Sequence, residues 1–518
     1  RDETARACTW HLPLSHAYEQ WSDALAYDGT ACIVQPAIAP LYDSRSAHEL
    51  LALLTADDVR DGHALVQRTW RDHGGKDFDA FWRESLRRGA IEGTSATPLK
   101  IAAEPVPPGA ATAPSGLVAL FAPDPSAHDG SFSNNAWLQE LPRPFTKMTW
   151  DNALLIGRGT AQRIGVGTGD VVQVKAASRS LQAPVWVIEA HAEGVVTLPL
   201  GYGRTAAGRV GNGVGFDANA LRPADSAIVV PVEITKTAAH HDFAVTQHAM
   251  DQEGRKLART VAPDGRIPDP QFAHETLYPH QPSPEHAWGM TIDLDACIGC
   301  NACTIACQAE NNIPVVGKEQ VAHGREMHWI RVDRYETAEV DGSLFLPVPC
   351  MHCENAPCEL VCPVGATLHD SEGLNVQVYN RCIGTRFCSN NCPYKVRRFN
   401  FLQFTDNETE TLKAQRNPEV TVRRRGVMEK CTYCLQRIAR ARQESQTTGV
   451  PLRDGDVVTA CQGACPTSAI VFGDLNDASS AVVRARETPR HYALLGELNT
   501  RPRTTYLARV VPRKPEGA

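Results

Sequence analysis

The 518-residue sequence contains no cysteine between residues 33 and 296. That gap excludes a disulfide scaffold, because secreted frameworks of that kind are short and cysteine-dense throughout. Long apolar runs are also missing: nothing approaches the roughly 18 to 20 uninterrupted apolar residues of a membrane span, so the chain is not expected to cross a membrane. No Cys-x-x-Cys-His occurs, since Cys353 is followed by Glu354 and Cys434 by Leu435. Covalent attachment of a c-type haem is thereby excluded. Gly-x-Ser-x-Gly, His-Glu-x-x-His and Walker sequences are missing as well. There is no basic excess either. With 52 Lys+Arg against 59 Asp+Glu the formal charge is −7, which argues against nucleic acid as a partner. The sequence opens at Arg1 and no signal peptide is legible in it, so it is silent on export.

What is there suffices for several cores. Hydrophobic residues make up 42% and the mean hydropathy is −0.29, which excludes disorder as the main state. At about 150 residues per domain the length suggests roughly three domains. Residues 1–115 read as mixed helix and loop, with helices expected at His48–Leu54 and Phe78–Arg88. The Gly-Pro-Ala-rich stretch from Pro105 to Gly116 marks a boundary. Residues 116–236 turn to short β-branched runs, Leu117–Phe121, Val171–Lys175, Val185–Ile188 and Ala227–Val232, punctuated by glycine. That is the pattern of a compact β-barrel. Residues 237–288, rich in His, Pro, Gln and Asp, read as an extended linker; His240, His241, His248, His274, His280 and His286 lack the regular spacing of a metal tract. Residues 289–475 hold the cysteine region. Residues 476–518, with few apolar side chains, are expected to wrap over their neighbours.

Of 17 cysteines, Cys8 and Cys32 stand alone, read as small buried hydrophobes or a disulfide, and the other 15 fall between Cys297 and Cys465. They form four groups. The first is Cys297-x2-Cys300-x2-Cys303-x3-Cys307. The second is Cys350-x2-Cys353-x4-Cys358-x3-Cys362-Pro363. The third is Cys382-x2-Thr385-x2-Cys388-x3-Cys392-Pro393. The fourth is Cys431-x2-Cys434 and, after an insertion, Cys461-x3-Cys465-Pro466. An iron–sulfur cube needs thiolates converging on its corners, and Cys-x2-Cys-x2-Cys lets one tight loop supply three. The fourth cysteine, expected to start the next element and point away, then serves the other cluster of a pair. The proline after it begins a helix or turn at no hydrogen-bond cost. Zinc, which favours two separated pairs, fits the fourth group alone; the first three crowd too many thiolates for one tetrahedral site.

Thr385 stands where register with the first group requires the second cysteine. A hydroxyl replaces a soft thiolate badly, and a cube short of one ligand loses that corner iron. Three clusters of four thiolates and one of three then account for all 15 cysteines. The alternative is that Thr385 or water caps a fourth iron.

Residues 290 to about 475 resemble the four-cluster electron-transfer subunits of the molybdopterin oxidoreductase superfamily, as in dimethyl sulfoxide and polysulfide reductases. The resemblance implies tandem ferredoxin-like units with the outer groups paired and the inner groups paired. Carried over by position, Cys297, Cys300, Cys303 and Cys465 would hold one 4Fe-4S cluster; Cys431, Cys434, Cys461 and Cys307 a second; Cys350, Cys353, Cys358 and Cys392 a third. Cys382, Cys388 and Cys362 would hold a 3Fe-4S cluster, with Thr385 at the missing-ligand position. Upstream, Glu19–Asp23 and Gln35–Pro40 are similar to the late part of a molybdopterin-type α/β domain. Trp137–Pro142, Ala161–Val174 and Leu200–Arg204 are similar to its C-terminal double-psi β-barrel.

Both modules in one chain, with the tail Glu497–Thr505, resemble the large iron–sulfur subunits of bacterial alternative complex III. The implied fold is a truncated molybdopterin-type domain with a double-psi barrel (α/β) followed by a tandem ferredoxin-like domain (α+β). The implied function is electron relay from quinol, oxidised in an integral-membrane subunit of polysulfide-reductase type, to c-type cytochrome subunits. The complex would be hetero-oligomeric, at the periplasmic face of the inner membrane, and this chain would bind no molybdopterin and carry no catalytic acid or base. The early part of a molybdopterin domain has no counterpart here, and the glycines from Gly201 to Gly215 read as turn glycines rather than a pterin cradle. The Arg381–Arg442 stretch, rich in Lys and Arg including Lys395, Arg397, Arg398 and Arg423–Arg425, is expected to compensate anionic clusters and face a membrane subunit or anionic lipid. One rival is a catalytic molybdopterin enzyme acting on a small sulfur compound. The other is a zinc-binding nucleic-acid module.

Overall fold

A computed structural model describes residues 2–102, 116–225, 228–268, 276, 278, 282–337, 340, 342–406 and 408–512. The Gly-Pro-Ala-rich boundary at 105–115, and His274 and His280, lie outside them. The chain divides into two units, Arg1–Ala113 and Pro114–Ala518.

In the first unit, helices Ala47–Leu54 and Phe78–Arg88 form where periodicity placed them. Ser46 caps the first in a box with Glu49; Asp77 caps the second, and Gly89 ends it with φ 72°. Helices Gly62–Trp70 and Phe78–Arg88 and the strand Ala31–Val34 contribute Val66, Trp82 and Ile33 to a core that also holds Ile91. Cys8 and Cys32 correct the expectation of buried cysteines: both are free thiols, Cys8 exposed at the end of a short helix and Cys32 half-buried on a strand.

The second unit begins with a seven-stranded mixed sheet in the order 233–240, 170–176, 179–188, 154–157, 195–199, 118–122, 229–231. Two neighbouring pairs are parallel, 154–157 with 185–188 and 118–122 with 195–199. Leu154, Ile156, Val172, Val174, Val185, Val196 and Leu198 are fully buried between its strands. Gly203 and Gly215 have a packing reason: a Cβ on either would meet Asp217 or Asn152 of this chain.

The stretch expected as a linker is tied down in its described part. Strand 233–240 pairs with 170–176, Ala244–Val245 pairs with Met148–Thr149, and Thr260–Val261 pairs with Arg509–Val510. Its polar composition concealed short pairing segments, Ala244–Val245 and Thr260–Val261, that need a partner strand to show. The C-terminal segment differs from expectation in the same way. Thr504–Leu507 is completely buried and lies parallel to Trp288–Asp293, which pairs antiparallel with Ile470–Asp474 on its other side. Four residues of β-branched and aromatic character suffice for an inner strand whose other neighbours come from remote sequence.

Candidate iron–sulfur site

Four short helices position the thiols. Cys303 and Cys307 lie on Ala302–Glu310, Cys358 on Pro357–Leu360, Cys388 on Phe387–Asn390 and Cys461 on Ala460–Gly463. This corrects one expectation: the third cysteine of the first group, not the fourth, begins the new element. Cys303 and Cys307 therefore sit one turn apart on one helix.

Cys297, Cys300, Cys303 and the remote Cys465 line one small pocket. Cys350, Cys353, Cys358 and Cys392 line another. Cys307 lies within electrostatic reach of Cys431, Cys434 and Cys461, and Cys388 within that of Cys382 and Cys362. Thr385 is exposed, as is Cys300 at the matching place in the first group. Among the described residues no three His, Cys, Asp or Glu side chains close around a single-ion position.

The donor chemistry fits an iron–sulfur group. Burial pushes the thiol of Cys297 up to about 11, Cys358 to about 11 and Cys434 to about 12, and raises Cys303, Cys307, Cys353 and Cys431 further. Such thiols ionise when cations sit among them, so binding releases their protons. At the Cys362-Pro363 and Cys465-Pro466 turns the balance differs. Burial raises Cys362 and Cys465, but backbone N–H groups at Cys362, and the Thr467 hydroxyl with backbone N–H groups at Cys465, outweigh it and both are lowered. Ala366 N–H reaches Cys362 Sγ at 3.2 Å, and Ala469 N–H reaches Cys465 Sγ at 3.2 Å.

Fixed charge surrounds the thiols. Arg397 Nη2 donates to Cys358 Sγ at 3.0 Å, Thr367 Oγ1 at 2.7 Å and Asn375 Oδ1 at 2.8 Å. Arg423 forms a fully buried pair with Glu429 at 2.9 Å, roofed by Trp329 and Tyr379. Arg398, Arg437, Arg440 and Arg442 pair with Glu326, Glu310, Glu419 and Glu372. Of the basic stretch, Arg397, Arg423 and Lys430 are buried, Arg398, Arg416, Arg437 and Arg442 are half-buried, and Arg381, Arg386, Lys395, Lys413, Arg424, Arg425 and Arg440 remain exposed.

An upstream segment closes over the first thiol group. Asn301 Nδ2 donates to Pro142 O at 2.6 Å, and Arg334 Nη1 to Phe145 O at 3.0 Å. The buried Glu140 carboxylate accepts from Val316 N–H at 3.0 Å, Gly317 N–H at 2.7 Å and Trp150 Nε1 at 3.1 Å. Burial pushes it up to about 7 against these three donors. Lys147 is 1% exposed and its ammonium has no hydrogen-bond partner. The ammonium lies 5.5 Å from the centre of the Phe345 ring, which covers Gly299. Burial pushes it down to about 8, and the Asp333, Cys297 and Cys303 charges oppose that shift. Sequence reasoning missed Glu140 and Lys147, since their partners lie more than a hundred residues away.

Comparison with known proteins agrees with this arrangement. Two models of the 4Fe-4S dicluster domain match, at residues 296–366 and 342–413. The iron–sulfur cluster-binding subunit of menaquinone reductase from Nitratidesulfovibrio vulgaris is 42% identical over 229 residues, covering 43% of this chain and 89% of that protein. The Hdr-like menaquinol oxidoreductase iron–sulfur subunit 1 of Archaeoglobus fulgidus is 30% identical over 273 residues, covering 48% and 95%. The arsenate respiratory reductase iron–sulfur subunit of a Shewanella species is 31% identical over 251 residues, covering 42% and 95%. The chain belongs to the family of iron–sulfur cluster-binding subunits of oxidoreductases that carry 4Fe-4S dicluster domains.

Proposed function

We propose that the chain is the electron-relay subunit of a membrane-associated quinol oxidoreductase of the alternative complex III kind, passing electrons from a quinol site in a membrane subunit to c-type cytochromes on the periplasmic face. The observation that carries this reading is the gathering of 15 thiols into four sets. Two relatives are named for menaquinone or menaquinol.

In this reading Cys297, Cys300, Cys303 and Cys465 hold one 4Fe-4S cluster, Cys307, Cys431, Cys434 and Cys461 a second, and Cys350, Cys353, Cys358 and Cys392 a third. Cys362, Cys382 and Cys388 hold a 3Fe-4S cluster, because Thr385 offers no thiolate. When bound, such groups supply one-electron storage without proton chemistry. The chain's own residues hold them in a row, compensate their charge and exclude water. The 116–236 sheet, with its two parallel pairs, is read as a double-psi barrel retained as scaffold.

The two ends of the row reach the surface. Ile298, 57% exposed, flanks the exposed Cys300 at one end. Ile383 and Phe387, 65% and 59% exposed, flank the half-buried Cys382 at the other, with Arg381 and Arg386 beside them. An apolar patch edged by arginines suits a membrane subunit and anionic headgroups, so quinol-derived electrons are assigned to this end.

The test uses the native complex under anaerobic conditions. Added quinol should abolish the oxidised three-iron EPR signal and bring up the signals of any 4Fe-4S centres it reduces, and oxidised cytochrome c should reverse both changes. Signals that ignore quinol but respond to a sulfur oxyanion, with molybdenum in the complex, would favour the catalytic molybdopterin reading instead.

A further inference from the structure

Each of the four cysteine groups has a tight loop, and the third position of each loop has left-handed backbone. The φ values are 69° at Gly299, 44° at His352, 77° at Gly384 and 55° at Tyr433. This turn aims the residue's N–H back at the first cysteine: His352 N–H reaches Cys350 Sγ and Tyr433 N–H reaches Cys431 Sγ, both at 3.5 Å. Glycine adopts this conformation freely, whereas a Cβ is disfavoured there. The first and third loops have the glycine. The second and fourth carry a large aromatic ring instead, and strain of that kind persists where surrounding structure over-determines it at a functional position.

The two rings meet. His352 and Tyr433 stack with centroids 3.8 Å apart and planes inclined by 18°, both fully buried. His352 Nε2 donates to the Cys431 carbonyl at 3.1 Å and Nδ1 accepts from Asn375 N–H at 3.1 Å, which fixes a neutral ring. Tyr433 Oη bonds Thr504 Oγ1 at 2.5 Å, and its ring meets Phe472 edge-on at 5.1 Å. One loop carries Cys350 and Cys353, the other Cys431 and Cys434. The stacked pair therefore spans from one thiol set to the next, at the junction of the inner and outer pairs of groups.

We propose that the His352–Tyr433 stack is the bridge between the two ferredoxin-like halves, fixing the spacing of the second and third cluster sites and carrying the electron between them. This rests on the relay reading above. One electron leaves the centre on one side and arrives at the centre on the other. No bond forms or breaks, and the Nε2 proton stays on its bond to the Cys431 carbonyl.

The test is made on the iron-loaded full chain, in which one end is pulse-reduced and inter-centre transfer is followed by rapid-freeze EPR. Tyr433→Phe keeps the ring and should transfer within about twofold of the parent, while Tyr433→Leu should slow transfer by about tenfold or more. Iron content and midpoint potentials should be unchanged in both, a combination that a merely structural role does not produce. Transfer at the parent rate in a fully loaded Tyr433→Leu protein would overturn the proposal. If Tyr433→Leu fails to load iron, His352→Gln decides by the same criterion, since it retains a donor toward Cys431 O without a ring. Loss of iron in both variants also overturns the proposal, by making the pair a folding element. A parent chain that never holds four centres sinks the relay reading itself, which is a separate outcome.

Discussion

Arg397 holds its Nη2 donor 3.0 Å from Cys358 Sγ while its charge reaches Cys350, Cys392 and, in the neighbouring set, Cys388. A cation that hydrogen-bonds a ligand sulfur stabilises the more negative, reduced state and so raises the potential. Arg397→Gln should lower the midpoint of the centre at Cys350, Cys353, Cys358 and Cys392 by about 60 mV or more, a tenfold change for a one-electron couple. EPR-monitored redox titration measures it, and Arg397→Lys should fall between the two.

Lys147 is the counterpart beside Cys297 and Cys303. A buried ammonium without a partner is costly unless a nearby anion compensates it. Lys147→Met should leave thermal stability equal or higher, since an unpaired charge becomes a well-packed apolar chain. The midpoint of the centre at Cys297, Cys300, Cys303 and Cys465 should fall by some tens of millivolts, roughly half a tenfold step. A variant that destabilises the fold without moving that potential would make Lys147 purely structural.

Thr385 gives a gain-of-metal test. Its position in the loop matches that of Cys300, and both are exposed. Thr385→Cys should bind about one further iron per chain and convert a three-iron EPR signal into one of four-iron type. Unchanged iron and an unchanged spectrum would mean that the fourth corner is already occupied.

Glu140 makes the seam around the first thiol group sensitive to pH. Its folded-state pKa of about 7 lies above the ordinary 4.5. Below 4.5 the carboxyl is neutral whether folded or unfolded, and burial carries no ionisation penalty. As pH rises through 4.5 to 7 the unfolded chain ionises first, and stability is lost progressively, up to about 3 kcal/mol above 7. Melting temperature should therefore fall between pH 5.5 and 8, and by less in Glu140→Gln. A melting temperature that is flat or rises over that interval in the parent chain would show Glu140 ionised throughout.

The thiol groups were legible because their chemistry is local: three thiolates in one tight loop can be read from spacing alone. The helices Ala47–Leu54 and Phe78–Arg88 were legible for the same reason, with cap and periodicity within a dozen residues. What escaped was long-range. Thr504–Leu507 becomes an inner strand only because Trp288–Asp293 lies beside it. Strand 233–240 is fixed by 170–176, and Glu140 matters only because Val316 and Gly317 point at it. His352 and Tyr433 left one readable trace. Aligning the four loops places them opposite Gly299 and Gly384, where a ring is out of keeping with the turn.

The central claim, four iron–sulfur centres in the proportions that the cysteines allow, is tested most directly by iron analysis joined to EPR spin quantitation of the oxidised protein. About 15 irons per chain with a three-iron signal, and neither molybdenum nor zinc, is the expected result. Stoichiometric zinc with fewer than about four irons, or molybdenum bound by this chain, would contradict it.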